Sequence, residues 1–161
     1  MASYLYLDAN SLYYSHAAGG GTLIYQQIQY AQIRGFTPVI TDVVRSEIIA
    51  GPGGPERIAA LEARGVATVA SLEFNQYTAY QQALAAGLPT GEYNPTNAGD
   101  RSIAEVAGSR LQAGDRVAIF SDDKFFINSG QLELPCGPPH LKVRTHDFSV
   151  QSTPAARRRD P

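Results

Sequence analysis

Short apolar runs separated by longer amphipathic stretches dominate the pattern of this chain. Each short run is bounded by turn-forming residues, which predicts a buried strand. The predicted strands cover residues 4–7, 37–41, 66–70, 116–121 and, at a sheet edge, 141–144.

The stretches between these runs predict helices, because apolar residues recur there at helical spacing. Ile24, Ile28 and Ala31 fall on one helical face, and Gly35 follows as a left-handed stop. The predicted helices cover residues 22–34, 43–50, 55–64, 72–86 and 100–113. Strands that alternate with helices of this length pair in parallel. The predicted fold class is therefore α/β, a three-layer α/β/α sandwich around a central, mainly parallel sheet of four to five strands.

Acidic residues stand where the predicted strands end. Asp8 follows the first strand directly, Glu47 lies in the helix after the second strand, and Asp100 opens the last predicted helix. Asp122 and Asp123 follow the fourth strand. The carboxyl ends of parallel strands share one edge of the sheet, where open α/β folds bind ligands. We therefore expect these carboxylates to converge in one crevice.

Converging carboxylates need a counter-charge, because they cannot all stay ionised side by side. Mg²⁺ or Mn²⁺ would supply it, since both ions prefer carboxylate and water oxygens. Such an ion activates water and stabilises a phosphoryl transition state, so the acids indicate phosphodiester hydrolysis. The three histidines lie near none of these acids in sequence, and the single Cys136 excludes a zinc site of several cysteines.

Composition is that of an ordinary globular domain. The 161 residues fit about one domain, 43% of them are hydrophobic, and the net charge of -2 gives no global basic field. No apolar run approaches the roughly 20 residues of a membrane span, and no signal-peptide pattern opens the chain. We therefore expect no membrane contact and a cytoplasmic location; a domain cut from the end of a larger delivered toxin would have the same composition and would act in a target cell's cytoplasm. A nuclease-like domain over residues 1–150 is expected to precede a flexible basic tail over 151–161.

In this order and spacing, the motifs around the acids resemble those of PIN-domain nucleases, and the chain is close in size to the VapC-type ribonuclease toxins. The resemblance spans residues 3–148. The first motif places an acid at the end of a strand, the second a Glu in a short helix, the third an Asp at a helix start, and the fourth a Ser-x-Asp-x-x-Phe pattern. The motifs are Leu5-Tyr6-Leu7-Asp8-Ala9-Asn10-Ser11, Val43-Val44-Arg45-Ser46-Glu47-Ile48, Gly99-Asp100-Arg101-Ser102-Ile103-Ala104 and Ser121-Asp122-Asp123-Lys124-Phe125-Phe126.

The resemblance implies a strand order of 3-2-1-4-5 and cleavage of single-stranded RNA by metal-activated water, which leaves 5′-phosphate and 3′-hydroxyl ends. It implies a toxin silenced by an antitoxin or immunity protein, and it leaves a homodimer open. Ser121 would orient the site by hydrogen bonding, and Asp122 is the alternative to Asp123 as the fourth acid. The residues that would hold Mg²⁺ or Mn²⁺, or position the water, are Asp8, Glu47, Asp100 and Asp123.

Weaker predictions concern the substrate. Arg45, Arg101 and Lys124 flank the acids and are predicted to contact phosphates, with Asn10 beside the first acid. For each cation, an ordinary surface charge is the alternative interpretation. Asp42 is predicted to cap the second helix and not to bind metal. For the whole chain, the alternatives are a catalytically weak PIN-like module that binds RNA or protein, and a structure-specific DNA nuclease.

Overall fold

The structure, a computed structural model, describes residues 1–10, 12, 22–121 and 141–144, with residues 22, 23 and 141–144 described by their backbone alone. The predicted basic tail lies outside these residues. The strands are β1 (Ser3–Leu7), β2 (Thr37–Thr41), β3 (Ala67–Val69), β4 (Arg116–Phe120) and β5 (Leu141–Arg144). The helices with described bounds are α1 (Thr22–Ile33), α2 (Asp42–Ala50), α3 (Gly54–Ala63), α4 (Glu73–Ala85) and α5 (Ala98–Gln112).

The strands form one parallel sheet in the order β3-β2-β1-β4-β5. This is the strand order predicted above, and the predicted α/β class, with helices on both sides of a parallel sheet, is confirmed. β1 lies at the centre of the sheet, where both of its faces are covered. Leu5, Tyr6 and Leu7 are accordingly almost fully buried. A continuous apolar run of this kind is typical of a strand inside a parallel sheet.

The register of the central strands brings their carboxyl ends level. Leu7 of β1 pairs with Phe120 of β4, so the next residues along, Asp8 and Ser121, lie side by side. β2 pairs with β1 on the other side and ends at the same edge with Thr41. The sheet therefore delivers polar residues from three adjacent strands to one edge.

The helices confirm the apolar faces expected from the sequence. Ile24, Ile28 and Ala31 of α1 are buried, and so are Ile103 and Ala107 of α5, which packs on β2 and β4. The helix boundaries differ from the predicted ones by one or two residues, which is normal at frayed ends. In the described part of the chain, no helix is long and apolar enough to cross a membrane.

The start of α2 corrects one prediction. Thr41, and not Asp42, is the N-cap of this helix, because the Thr41 Oγ1 accepts the Val44 N–H at 3.2 Å. Asp42, the first residue of α2, accepts the Val43 N–H at 2.9 Å, and it also accepts hydrogen bonds from Ser71, at 3.0 Å from the backbone N–H and at 2.7 Å from the hydroxyl. The carboxylate therefore ties α2 to the turn between β3 and α4.

α4 is held by polar contacts with its neighbour α5, since none of its residues is buried. The Glu105 carboxylate of α5 accepts the backbone N–H groups of Leu72 at 2.6 Å and Glu73 at 3.1 Å, and so caps the start of α4 from outside. The Glu73 side chain in turn pairs with Arg101 of α5 at 2.7 Å. These contacts fix the position of α4 without a hydrophobic core of its own.

Two neighbouring glycines should respond differently to alanine. A β-carbon on Gly54 would overlap the carbonyl oxygens of Ile48 and Ile49, so Gly54→Ala should lower the free energy of unfolding by about 3 kcal/mol. Gly53 has a left-handed φ of 63°, yet a β-carbon there would meet only Arg57 Nε at 3.8 Å. Gly53→Ala should therefore cost about 1 kcal/mol. Urea unfolding measures both values, and equal losses would contradict this account.

Candidate active site

Asp8 continues the central strand by one residue and presents its side chain at the sheet edge. Its backbone N–H donates to the Phe120 carbonyl at 3.3 Å, which extends the pairing of β1 with β4. The side chain is buried, with 4% of the residue exposed. The Ser121 hydroxyl donates to Asp8 Oδ2 at 3.0 Å, a contact of the kind predicted for this serine. The register of the sheet is therefore what orients the first acid.

Three predicted acids meet in one pocket of about 170 Å³. They are carried by separate elements: the end of β1, the middle of α2 and the first turn of α5. A volume of this size is below the 300 Å³ or so at which pockets for small organic ligands begin, and it suits a hydrated ion or one phosphate group. The described lining residues are Asp8, Ala9, Asn10, Glu47, Asn97, Gly99 and Asp100.

The remaining predicted acids and one predicted cation are not described. Asp122, Asp123 and Lys124 lie outside the described residues, although Ser121 directly before them is placed. Within the described residues, no group of three Asp, Glu, His or Cys side chains is arranged to hold a metal ion. The described residues do not include positions 122 and 123, where the fourth acid is predicted.

Glu47 reaches from α2 to the first turn of α5. The Gly99 backbone N–H donates to the Glu47 carboxylate. N–H groups in a first turn have no partner within their own helix, and the helix dipole favours negative charge there. A β-carbon at position 99 would lie 2.5 Å from Glu47 Oε1, so glycine is what permits this approach. Gly99 belongs to the third motif, but the sequence alone assigned it no role. The signal for that role is a glycine directly before the acid Asp100.

The electrostatics of the pocket are dominated by desolvated negative charge. Burial raises the pKa of the Glu47 carboxyl to about 7, and the negative charge of Asp8 also raises it, while the Gly99 N–H opposes the shift. Burial also raises the pKa of Tyr77 on α4, with the charge of Glu47 as the second cause. Tyr77 therefore lies within electrostatic reach of the pocket. A cation placed beside Glu47 would lower its pKa and relieve the repulsion.

Two predicted phosphate-binding cations have protein partners away from the pocket. Arg45 pairs with Glu62 at 3.5 Å on an exposed surface. Arg101 binds Glu73 and also donates to the backbone carbonyls of Asn94 and Thr96, each at 2.7 Å. Neither arginine lines the described pocket. Arg101 thus holds the loop that enters α5 against α4.

That loop ends at Asn97, a pocket residue that sequence analysis did not single out. Asn97 is the only non-glycine residue with a positive φ among the described residues, at 63°. Its side chain makes no capping hydrogen bond to α5. At the start of α3 the same N-cap conformation is occupied by Gly53, the residue that adopts it without strain. At position 97 the backbone is strained, and the side chain of Asn97 places a carboxamide beside the acids.

Comparison with known proteins adds no assignment. No protein-family model matches the chain, and no curated protein matches it. The fold class and the composition of the pocket are therefore the findings from which a function is inferred.

Without a bound cation, the protein should lose stability as the pH rises through 7. The folded state binds the Glu47 proton more tightly than the unfolded chain does, so this contribution is complete below the unfolded pKa of 4.5 and is lost as the pH passes about 7. The loss should be about 3 kcal/mol. Urea unfolding in EDTA over this pH range, compared with Glu47→Gln, measures it. Parallel profiles for the two proteins would show that Glu47 has an ordinary pKa.

Proposed function

We propose that this chain is a metal-dependent endoribonuclease of the PIN-like kind, which hydrolyses phosphodiester bonds of single-stranded RNA. The observation that supports the proposal most strongly is the meeting of Asp8, Glu47 and Asp100 in one pocket at the carboxyl edge of the sheet. These acids are remote from one another in sequence, and each is an acid that the resemblance predicts for a metal site. A pocket assembled this way concentrates negative charge where the fold class places ligands.

The oxygen donors of the pocket suit Mg²⁺ or Mn²⁺ by their chemistry, although the three described acids alone are not arranged to hold an ion. Asp8 and Asp100 are almost fully buried carboxylates, and the described lining offers oxygen donors from acids and amides. Hard divalent ions prefer such oxygens. Asp8, Asp100 and Glu47 would hold the ion, together with the fourth acid predicted at Asp122 or Asp123. When bound, the ion would lower the pKa of a water molecule and neutralise charge on the phosphate.

The chain's own residues then have distinct roles. Ser121 holds the Asp8 carboxylate in one orientation, and the Gly99 N–H holds Glu47. Asn10 and Asn97 supply neutral carboxamide donors that can meet phosphate oxygens beside the acids. In the reaction, water adds to phosphorus while the 3′-oxygen leaves and takes up a proton. The products are a 5′-phosphate and a 3′-hydroxyl.

The biological role that we propose with this chemistry is that of a toxin kept silent by an antitoxin or immunity protein. The resemblance to VapC-type toxins supports this role. The pocket also offers such a partner a clear target, because an arginine inserted among the carboxylates would form charge-assisted hydrogen bonds with them. The RNA substrate would then be cytoplasmic, in the producing cell or in a target cell.

Replacing a pocket acid by its amide should abolish cleavage while the fold persists. Asp8→Asn and Asp100→Asn keep the shape of the side chain but remove its charge, so Mn²⁺-dependent cleavage of RNA should fall by at least about 100-fold. Glu56→Gln is the matched control, because this exposed acid in the first turn of α3 lies away from the pocket. The measurement is incubation with defined single-stranded RNAs and DNAs, with Mn²⁺ or EDTA, followed by mapping of the product ends.

Two results would contradict the proposed function. If the unmodified protein binds RNA but cleaves no nucleic acid with Mg²⁺ or Mn²⁺, the chain is a binding module. If it cleaves branched DNA and leaves single-stranded RNA intact, it is a structure-specific DNA nuclease. Cleavage that survives in EDTA would exclude the metal-dependent route.

A further inference from the structure

Two buried hydroxyls link the helices that carry the pocket acids. Thr41 and Ser102 are both fully buried, and their hydroxyl oxygens lie 2.6 Å apart. The Ser102 hydroxyl donates to the Gly99 carbonyl at 2.6 Å. Because that bond uses the only proton of Ser102, the Thr41 hydroxyl is the donor between the two side chains. The result is a directed chain of hydrogen bonds from Thr41 through Ser102 to Gly99.

Each end of this chain of hydrogen bonds belongs to a helix, or its cap, that carries a pocket acid. Thr41 is the N-cap of α2, where its oxygen also accepts the Val44 N–H, and α2 carries Glu47. At the other end, Gly99 directly precedes Asp100 and donates its own N–H to Glu47. The Glu47 carboxylate thus contacts the same turn of α5 that the two hydroxyls hold.

The Glu47 carboxylate lies close against the Gly99 backbone. A β-carbon at position 99 would come within 2.5 Å of Glu47 Oε1, so the carboxylate lies directly over the Gly99 backbone. A change in the spacing of α5 and α2 would therefore alter the Gly99 hydrogen bond or require the Glu47 side chain to turn. Apolar side chains of the same shape could fill the space of the two hydroxyls, since an exchanged pair of hydrogen-bonding groups is often nearly neutral for stability. Directional bonds, however, set the spacing of the helices more narrowly than apolar contacts do.

We propose that Thr41 and Ser102 are positioning residues of the acidic pocket, whose hydroxyl pair sets the spacing between the starts of α2 and α5 and thereby places Glu47 beside Asp8 and Asp100. The effect on cleavage rests on the proposed function. The effect on the Glu47–Gly99 contact does not, because that contact exists in the protein alone.

The experiment compares Ser102→Ala with Ile103→Val. Ile103 is the next residue of α5, is fully buried and lies in the hydrophobic core, so its variant removes packing without touching the hydroxyl pair. NMR-detected hydrogen exchange of the Gly99 amide in the metal-free protein reports the contact with Glu47. In Ser102→Ala this exchange should accelerate by about 10-fold or more, and Mn²⁺ affinity and cleavage should fall by a similar factor, as for other residues that orient metal ligands. Ile103→Val should lower the melting temperature and leave these three quantities unchanged.

A second pair of variants covers the case in which Ser102→Ala does not fold. Thr41→Ser keeps the hydroxyl and should retain exchange protection at Gly99 and cleavage, whereas Thr41→Val keeps the shape and should lose both. If Ser102→Ala, or Thr41→Val in its place, changes Gly99 exchange no more than Ile103→Val does, the positioning role is wrong. If Gly99 exchange responds as expected but the unmodified protein cleaves no RNA, the positioning role stands and the proposed function fails.

Discussion

Negative charge crowded at one edge of a parallel sheet is the constraint on which the rest of this structure depends. Asp8 and Asp100 are buried, and in the same pocket burial and the charge of Asp8 raise the pKa of the Glu47 carboxyl to about 7. A fold that only needed stability would place apolar side chains there. The protein instead gives the acids individual hydrogen-bond donors, the Ser121 hydroxyl for Asp8 and the Gly99 N–H for Glu47. These donors reduce the repulsion between the carboxylates but do not remove it. A divalent cation would neutralise the charge that remains.

Polar contacts between elements add to the packing around the pocket. Asp42 binds Ser71, Glu105 caps α4, and Arg101 joins α4 to the loop before α5. These contacts join α2 to the turn before α4, and join α4 to α5 and to the loop that enters α5. Because directional bonds fail abruptly when distances change, this construction keeps the acids at defined separations. It also explains how α4 can remain in place with no buried residue of its own.

The sequence was informative where a local pattern decides the structure. The apolar run Leu5-Tyr6-Leu7 and the helical spacing of Ile24, Ile28 and Ala31 depend on burial alone, and the structure buries them as expected. The convergence of Asp8, Glu47 and Asp100 could be predicted as well, because parallel strands bring their carboxyl ends to one edge of the sheet. The N-cap of α2 did not follow, because Thr41 takes that position, while the Asp42 carboxylate accepts the Val43 N–H and also binds Ser71, which lies 29 residues away. The role of Gly99 could not be predicted either, because it depends on contact with Glu47, which lies on another helix.

The closeness of Gly99 to Glu47 has an evolutionary consequence. A methyl group at position 99 would force the Glu47 carboxylate to move, so changes at the two positions affect each other in descendants of this chain. An aspartate, one methylene shorter than glutamate, is the acid that would make space for a larger residue at position 99. In an alignment of homologues, the pair should therefore covary, and a chain that keeps glutamate at 47 while losing glycine at 99 should hold that carboxylate in a different position.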